Sequence, residues 1–513
     1  MLCVALMIRV VVGAVLPITD PTEGRYAQIA SEMVASGDWV TPRVWFRGDQ
    51  VPYLGKPPLF FWTAALSIMV FGSTEIAVRL PAIAAVLLLF ILMFQVIKRS
   101  DGAGAAGAAV IIAATTGLVF FLSATAIVDL HLMLFVSGAL FAHLACVQAG
   151  DRSRSRKLSV LTFALIAGGV LTKGPVAIVL VCLPVGVWTT LYGTWNTLRA
   201  HSWRTGLLVF TILVGPWFIL AELRNPGFIE YFFVNENFLR FLSTSYGDRY
   251  GTGHVFPRGS SLLMFSIGAL PWTPVAIWLA IRRRWRLLRW TLRDERASFL
   301  LIAFLTIVVF WGFARQLLPT YLLPAIPLFS AWLAVAMNRV EAPSRVFRSV
   351  AMGAAALWCL LAVAVAPIVV TKSTREILAE TSSLLQRRIE PAKVVFAGRT
   401  PQSAAFYAPD LVTHHADEPV AHSLSRIAGR PNDTLLIISD RDWQGLTDGN
   451  VGMVRSLTRV PGWRILASAT ADRRASILGK ASLDRRPLIR RRRPSTEPAP
   501  ARYSGSHRES VRR

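Results

Sequence analysis

Between Met1 and Val370 the chain repeats near-continuous apolar runs, most of them about 17 to 23 residues long, the length that crosses the hydrocarbon core of a bilayer as a helix. Eleven are read, at 2–18, 76–97, 104–123, 126–148, 158–172, 175–192, 206–222, 260–281, 298–313, 318–337 and 347–370. With 53% hydrophobic residues, 16 Trp and only 17% charged residues in 513, a single water-soluble core cannot hide the apolar surface. The expected class is therefore an α-helical polytopic membrane protein. The first run begins almost at Met1 and lacks the small-residue cleavage pattern of a removable signal peptide. All four cysteines (Cys3, Cys146, Cys182 and Cys359) sit in apolar runs without metal-site or disulfide-framework spacing, and read as small hydrophobic fillers.

A net charge of +25 resembles a nucleic-acid signature until it is mapped, after which most of it falls in loops and in an arginine-rich tail. No nucleic-acid partner is expected. Lys98 and Arg99, then Arg152 to Lys157, Arg199 and Arg204, Arg282 to Arg296, and Arg339, Arg345 and Arg348 occupy every second loop, which marks those loops as cytoplasmic. The alternate loops, 19–75 and 223–259, and the polar region after Thr371 are then expected outside the cytoplasmic membrane. The chain divides into a transmembrane domain (1–371), an extracytoplasmic α/β domain (372–480) and a basic disordered tail (481–513). Within the α/β domain, Glu376 to Arg387 reads as a helix, Lys393 to Gly398 and Thr434 to Asp440 as buried strands, and Trp463 to Lys480 as a hairpin.

The interval from Thr19 to Pro58 gathers both signs of charge beside the first apolar run, and charges at that depth need partners or water. Tyr26, Ile29, Ala30 and Met33 recur at helical spacing in Glu23 to Met33, which predicts an amphipathic helix on the membrane surface; Leu59 to Phe71 predicts a second. Lys56 precedes two prolines that restrict its backbone and aim the ammonium group from a fixed point. Its bland alternative is a snorkelling interfacial lysine.

Thr22-Glu23-Gly24-Arg25-Tyr26-Ala27-Gln28-Ile29-Ala30-Ser31-Glu32-Met33, Ser36-Gly37-Asp38-Trp39, Lys56-Pro57-Pro58, and Phe71-Gly72 through Arg79 follow one another in order. This series closely resembles the first outer loop of the aminoarabinose transferase branch of the protein O-mannosyltransferase superfamily. Val128-Asp129, Leu171-Thr172-Lys173-Gly174, Tyr231-Phe232-Phe233 with Arg240-Phe241, Leu270-Pro271-Trp272 and Leu318-Pro319-Thr320-Tyr321 continue the family's order, so the resemblance covers about residues 1–340. It implies a GT-C fold and an inverting membrane glycosyltransferase that takes a sugar from a polyprenyl phosphate. The acceptor would be lipid A, another glycolipid or a protein, on the outer face of the membrane. Aminoarabinose, another pentose, a hexose and a uronic acid all remain open as donor sugars. The rival class is a lipid or polysaccharide transporter, whose signs would be charges in mid-span or broken helices in paired repeats.

Transfer from a lipid-linked phosphate needs a base for the acceptor hydroxyl, cations for the departing phosphate and apolar surface for the lipid. Asp20, Glu23 and Asp129 are the candidate bases, with Asp20 preferred because it lies beside a span end and before a proline. Arg25, Tyr26, Lys56, Lys173, Arg258 and Tyr321 are the candidate substrate-binding residues, and Phe60 to Trp62 with Phe228 to Phe241 supply apolar surface. The family's Asp-Glu pair is here Thr22-Glu23, which leaves the base unassigned. The family's Glu before Lys-Pro is here Gly55, while His254 stands at the outer-loop histidine position. In members where those two positions hold a divalent metal, an acid is part of the site, so a metal is left open with His254 as its one candidate ligand.

Overall fold

The computed structural model describes residues 11, 13–243, 254–386, 393–414, 418–428, 434–446 and 454–468. The first expected span falls largely outside these residues, as do the 481–513 tail and the C-terminal part of the expected 463–480 hairpin. The described residues form one compact unit.

The first loop is α1 (Thr22–Ser36), a hairpin of β1 (Arg43–Phe46) and β2 (Asp49–Pro52), and α2 (Leu59–Phe71). The bundle follows as α3 (Glu75–Thr115), α4 (Val128–Val147), α5 (Arg152–Lys173), α6 (Val176–Tyr192) and α7 (Trp203–Arg224). After a π-helical segment, Tyr231–Leu239, come α8 (Ser260–Gly268), α9 (Trp272–Arg282), α10 (Arg284–Arg293), α11 (Glu295–Gly312), α12 (Ala325–Arg339) and α13 (Ser344–Val370). Among the described residues, six helices (α3, α4, α5, α7, α11 and α13) are long and apolar enough to cross a membrane, and seven spans result if the bent pair α8 and α9 counts as one. Eleven runs were expected. The difference lies in four places besides the N-terminus. α6, with 17 residues, and α12, with 15, are apolar but short. The expected 260–281 span is broken by a bend of 102° between α8 and α9. The runs at 76–97 and 104–123 count together as α3, although a kink separates two helical stretches there. Gly102, with φ at 84°, interrupts the helical backbone of α3 between the two runs.

α1 and α2 lie where helical spacing placed them, but α1 is no simple surface helix. Tyr26, Ile29, Ala30 and Met33 are buried as the periodicity requires, with Tyr26 packed on Phe60 and Phe61 of α2. Gln28, on the side read as polar, is also buried. The C-terminal segment packs against α1.

That segment contains α14 (Arg375–Gln386), β3 (Lys393–Phe396), α15 (Gln402–Tyr407), β4 (Thr434–Ser439), β5 (Val454–Val460) and β6 (Trp463–Ser468). Its sheet order is β3-β4-β6-β5, with β3 and β4 parallel and the remaining pairs antiparallel. The helix and both buried strands read from the sequence are present. The hairpin is not the expected 463–480 unit, because Trp463–Ser468 pairs backward with Val454–Val460 across Pro461-Gly462. Val454–Val460 alternates Arg455, Ser456 and Arg459 with its apolar residues and leaves much of its surface exposed, so it lacked the apolar run by which β3 and β4 were recognised. α15 sits close to α1 at Gly24, where a Cβ would stand 2.8 Å from the Ser403 backbone nitrogen.

One buried ion pair fastens the first loop to α3. Arg79 donates from Nε to Glu23 Oε1 at 2.7 Å and from Nη2 to Oε2 at 2.8 Å, and its remaining donors reach the carbonyls of Gly13, Leu16 and Pro17. Glu23 also accepts the amides of Ala126 at 2.9 Å and Thr19 at 3.1 Å. Every charge in this knot is matched, and removing one partner strands the other out of water at a cost of about 3–5 kcal/mol. Arg79→Gln is therefore expected to lower the thermal stability and membrane yield of the protein sharply. A melting profile in detergent indistinguishable from wild type would contradict this anchoring role.

Candidate active site

Three cations from three separate elements converge on a cavity of about 440 Å³. Lys56 enters from the loop before Pro57-Pro58, Lys173 from the last turn of α5, and Arg240 from just past the π-helical segment. Val176, Val179, Phe233, Phe241, Phe310 and Trp311 form much of the remaining wall. The cavity wall thus combines three cations and the Glu236 carboxylate with aromatic and aliphatic side chains.

Asp129, in the first turn of α4, accepts a hydrogen bond from Lys173, so the buried lysine is paired with an acid. A carboxylate at a helix N-terminus and an ammonium at a helix C-terminus each oppose the local dipole, so both partners are placed favourably. The ammonium also lies 3.6 Å from the centre of the Tyr321 ring, a cation–π contact, and Tyr321 packs on Trp311 at 4.8 Å. Gly174 ends α5 with φ at 84°, and a Cβ there would lie 2.5 Å from Phe232 Cζ. Only glycine lets the π-helical segment close over the Lys173 end of α5.

Lys56 donates from Nζ to the Gly55 carbonyl at 2.6 Å and to Glu236 Oε1 at 2.7 Å. Arg240 donates to the same oxygen at 2.6 Å. Burial alone would depress the Lys56 ammonium; Glu236 outweighs it and holds Lys56 above the ordinary lysine range. Glu236 Oε2 is buried without a hydrogen-bond partner. One carboxylate oxygen therefore bridges two cations, and the other faces no donor.

The structure separates the sequence candidates into two groups. Lys56, Lys173 and Tyr321 line the cavity, and Asp129 stands one hydrogen bond behind it. Tyr26 is buried within electrostatic reach of Asp129 and Tyr321, and burial, with Tyr53 and Asp129 nearby, holds its phenol well above the ordinary range. Arg25 lies over the Tyr53 ring, 5.9 Å from its centre, and does not line the cavity. Arg258 is exposed in the loop before α8 and does not line it either.

None of the three candidate bases lines the cavity; Asp129 reaches it through Lys173, whereas Asp20 and Glu23 are held by other partners. Glu23 is consumed by Arg79 and two backbone amides; burial pushes its carboxyl up, but the Arg79 guanidinium and these hydrogen bonds outweigh burial and hold it below the usual range. Asp20 accepts the Ser403 amide at 2.9 Å and the Ser403 hydroxyl, so it anchors α15. Glu236 and Arg240 were not singled out by sequence reasoning as site residues. The Tyr231–Leu239 run reads as aromatic filling, and its one acid becomes legible only when the π-helical turn brings it beside Lys56. A π-helical segment at such a place is itself a common mark of functional sites.

The residues present do not fit a metal at His254. Its side chain is exposed, Gly55 stands where an acidic ligand would be needed, and among the described residues no group of three His, Cys, Asp or Glu side chains is arranged to hold an ion.

Comparison with known proteins agrees with this arrangement. Residues 55–219 match the family model described as dolichyl-phosphate-mannose-protein mannosyltransferase. The undecaprenyl phosphate-alpha-4-amino-4-deoxy-L-arabinose arabinosyl transferase of Aeromonas salmonicida is 30% identical over 371 residues, 68% of this chain and 62% of the relative. The protein of the same name from Pseudomonas aeruginosa strain UCBPP-PA14 is 29% identical over 311 residues, 60% of this chain and 53% of the relative. The chain therefore spans a little over half of the length of these curated relatives. Among solved structures, ArnT from Cupriavidus metallidurans bound to undecaprenyl phosphate superposes with a TM-score of 0.72 at 21% identity, covering 91% of this chain and 96% of that one. The archaeal oligosaccharyltransferase AglB from Archaeoglobus fulgidus superposes at 0.51 and 12% identity, covering 91% and 74%.

The Asp20 anchor carries a pH signature. Burial raises its carboxyl from 3.8 to about 6, against the opposing hydrogen bonds of Ser403 and Gln402 and the charge of Arg399. Between those values the folded protein binds more protons at this position than the unfolded chain, so stability falls as pH rises through the window and levels off above it. The melting temperature of wild type relative to Asp20→Asn is accordingly expected to decline from about pH 4 to about pH 6. A difference that is flat or rises over that window would contradict the buried-anchor geometry. With the cavity described and these likenesses beside it, the chain is a multi-span membrane protein of the GT-C fold, and its resemblance to the aminoarabinose transferase branch of the protein O-mannosyltransferase superfamily is borne out.

Proposed function

We propose that this chain transfers a sugar from a polyprenyl-phosphate donor to a lipid or protein acceptor at the outer face of the cytoplasmic membrane. The observation that carries the reading is the cavity wall itself, in which Lys56, Lys173 and Arg240 stand together with aromatic and aliphatic side chains. An anionic headgroup joined to a long apolar tail matches that combination of side chains. The outward orientation is supported by the basic residues of the alternate loops, which favour the cytoplasmic side for those loops and the opposite side for the first loop.

In the resting cavity Glu236 Oε1 occupies the position between Lys56 and Arg240 that a phosphate oxygen would take. Glu236 keeps the two cations matched in a buried setting, and a donor phosphate replaces it. The same phosphate competes with Asp129 for Lys173 and so frees the Asp129 carboxylate. The acceptor hydroxyl oxygen then bonds to the anomeric carbon as the bond from that carbon to the phosphate oxygen breaks. The electron pair leaves on the phosphate, stabilised by the three cations, and the hydroxyl proton passes to Asp129. Attack opposite the leaving group inverts the anomeric centre. Aminoarabinose is the donor sugar favoured by the likeness to the arabinosyl transferases.

Single-turnover sugar transfer by purified variants in lipid nanodiscs tests the assignment. Lys56→Ala is expected to lose about 10²- to 10³-fold in rate, the usual cost of removing one donor to developing negative charge. Asp129→Asn should abolish transfer while retaining polyprenyl-phosphate binding, and Asp20→Asn should keep turnover near wild type. Near-normal turnover by Lys56→Ala would reduce that residue to an interfacial anchor, and loss of turnover in Asp20→Asn alone would return the base role to the first loop.

A further inference from the structure

The connection between α9 and α11 does not bridge them by the shortest route. It forms a ten-residue helix of its own, α10, Arg-Trp-Arg-Leu-Leu-Arg-Trp-Thr-Leu-Arg. α9 is half of a bent candidate span and α11 is a candidate span, so both ends of α10 are tethered to apolar helices that belong in the bilayer. A short helix so tethered lies at the edge of the membrane.

Its surface divides into three sides. Leu287 and Thr291 are buried against the protein. Trp285, Leu288 and Leu292 are 69%, 46% and 54% exposed, and at 3.6 residues per turn they fall within about 60° of one another. Arg286, Arg289 and Arg293 line one flank of that apolar stripe and Arg284 the other, and all four are exposed. Large apolar side chains are not expected to face water in a row without a covering surface. The adjoining cavity, about 680 Å³ and lined by Arg99, Arg154 and Arg296 with Asp294 and Glu295, extends the basic side past the end of α10.

We infer that α10 is an interfacial helix that binds an anionic phospholipid surface, its Trp285-Leu288-Leu292 stripe entering the acyl boundary while the flanking arginines engage headgroup phosphates. An apolar stripe bordered by arginines is the arrangement that combines buried area with attraction to negative lipid. A zwitterionic surface would satisfy the stripe but not the charges. This inference is independent of the reaction assigned to the Lys56 cavity, which other elements form.

The full chain, reconstituted in nanodiscs of mixed phosphatidylcholine and phosphatidylglycerol, is transferred to detergent and its retained lipids are counted by native mass spectrometry. Wild type is expected to retain phosphatidylglycerol well above its share of the mixture. Replacing Arg284, Arg286, Arg289 and Arg293 together by Gln should cut that enrichment at least tenfold, since each arginine near an anionic surface contributes a factor of about five. Replacing the same four by Lys should preserve most of it. Arg345→Gln with Arg348→Gln, two exposed arginines at the start of α13, serves as the control and should change little. Equal enrichment in wild type and the four-Gln variant, no enrichment in wild type, or an equal loss in the control would each overturn the assignment. If the four-Gln variant fails to fold, loss of enrichment in the well-folded four-Lys variant overturns it instead.

Discussion

A charge taken out of water must be matched, and that constraint organises the junction between the first loop and the helices. Glu23 with Arg79, Asp129 with Lys173, and Glu236 with Lys56 and Arg240 are buried groupings of opposite charge, each joining segments far apart in sequence. They differ in what remains unmet. In the Glu23–Arg79 knot both carboxylate oxygens have partners and the guanidinium reaches three carbonyls, which makes it a fastening. In the Glu236 group one carboxylate oxygen holds two cations and the other holds nothing, and a cavity opens beside it. The first arrangement has no capacity for a ligand. The second has cations that a better anion can claim.

This distinction explains why three acids of similar appearance in sequence have different fates. Asp20 and Glu23 lie close together in the chain and share a setting of mixed charge, yet one anchors α15 through Ser403 and the other anchors α3 through Arg79. Asp129 shares no motif with them and stands behind the cavity through Lys173. The C-terminal segment is thereby tied to the first loop at several points, including Gln402 to the Trp45 carbonyl at 3.1 Å and Tyr407 to Glu75 at 3.1 Å.

The parts of the fold governed by local periodicity were legible in the sequence. α1, α2, β3, β4 and the helix at Arg375–Gln386 appear where apolar spacing placed them, and Lys56, Lys173 and Tyr321 meet at one cavity as the ordered motifs required. What escaped depends on contacts between distant segments. The partner of Glu23 is 56 residues away and that of Asp20 is 383 away, so no spacing rule distinguishes an anchoring acid from a reacting one. Glu236 was hidden for a related reason, since its neighbours Phe232, Phe233 and Phe238 mark the run as apolar and only the π-helical backbone turns the acid toward Lys56. The bend between α8 and α9 is likewise a matter of backbone geometry, which hydropathy does not register, whereas the kink at Gly102 falls between the two runs that hydropathy separates.

The central claim is that the Glu236 carboxylate holds the place of a donor phosphate between Lys56 and Arg240. Determining the structure of the chain with polyprenyl phosphate bound tests it most directly. The account predicts the phosphate within hydrogen-bond distance, about 3 Å, of both Lys56 Nζ and the Arg240 guanidinium, with Glu236 turned away from them and the isoprenoid chain along Phe233, Phe241 and Phe310. A phosphate seated instead against Arg25 or Arg258, with the Lys56–Glu236–Arg240 bridge intact, would contradict it.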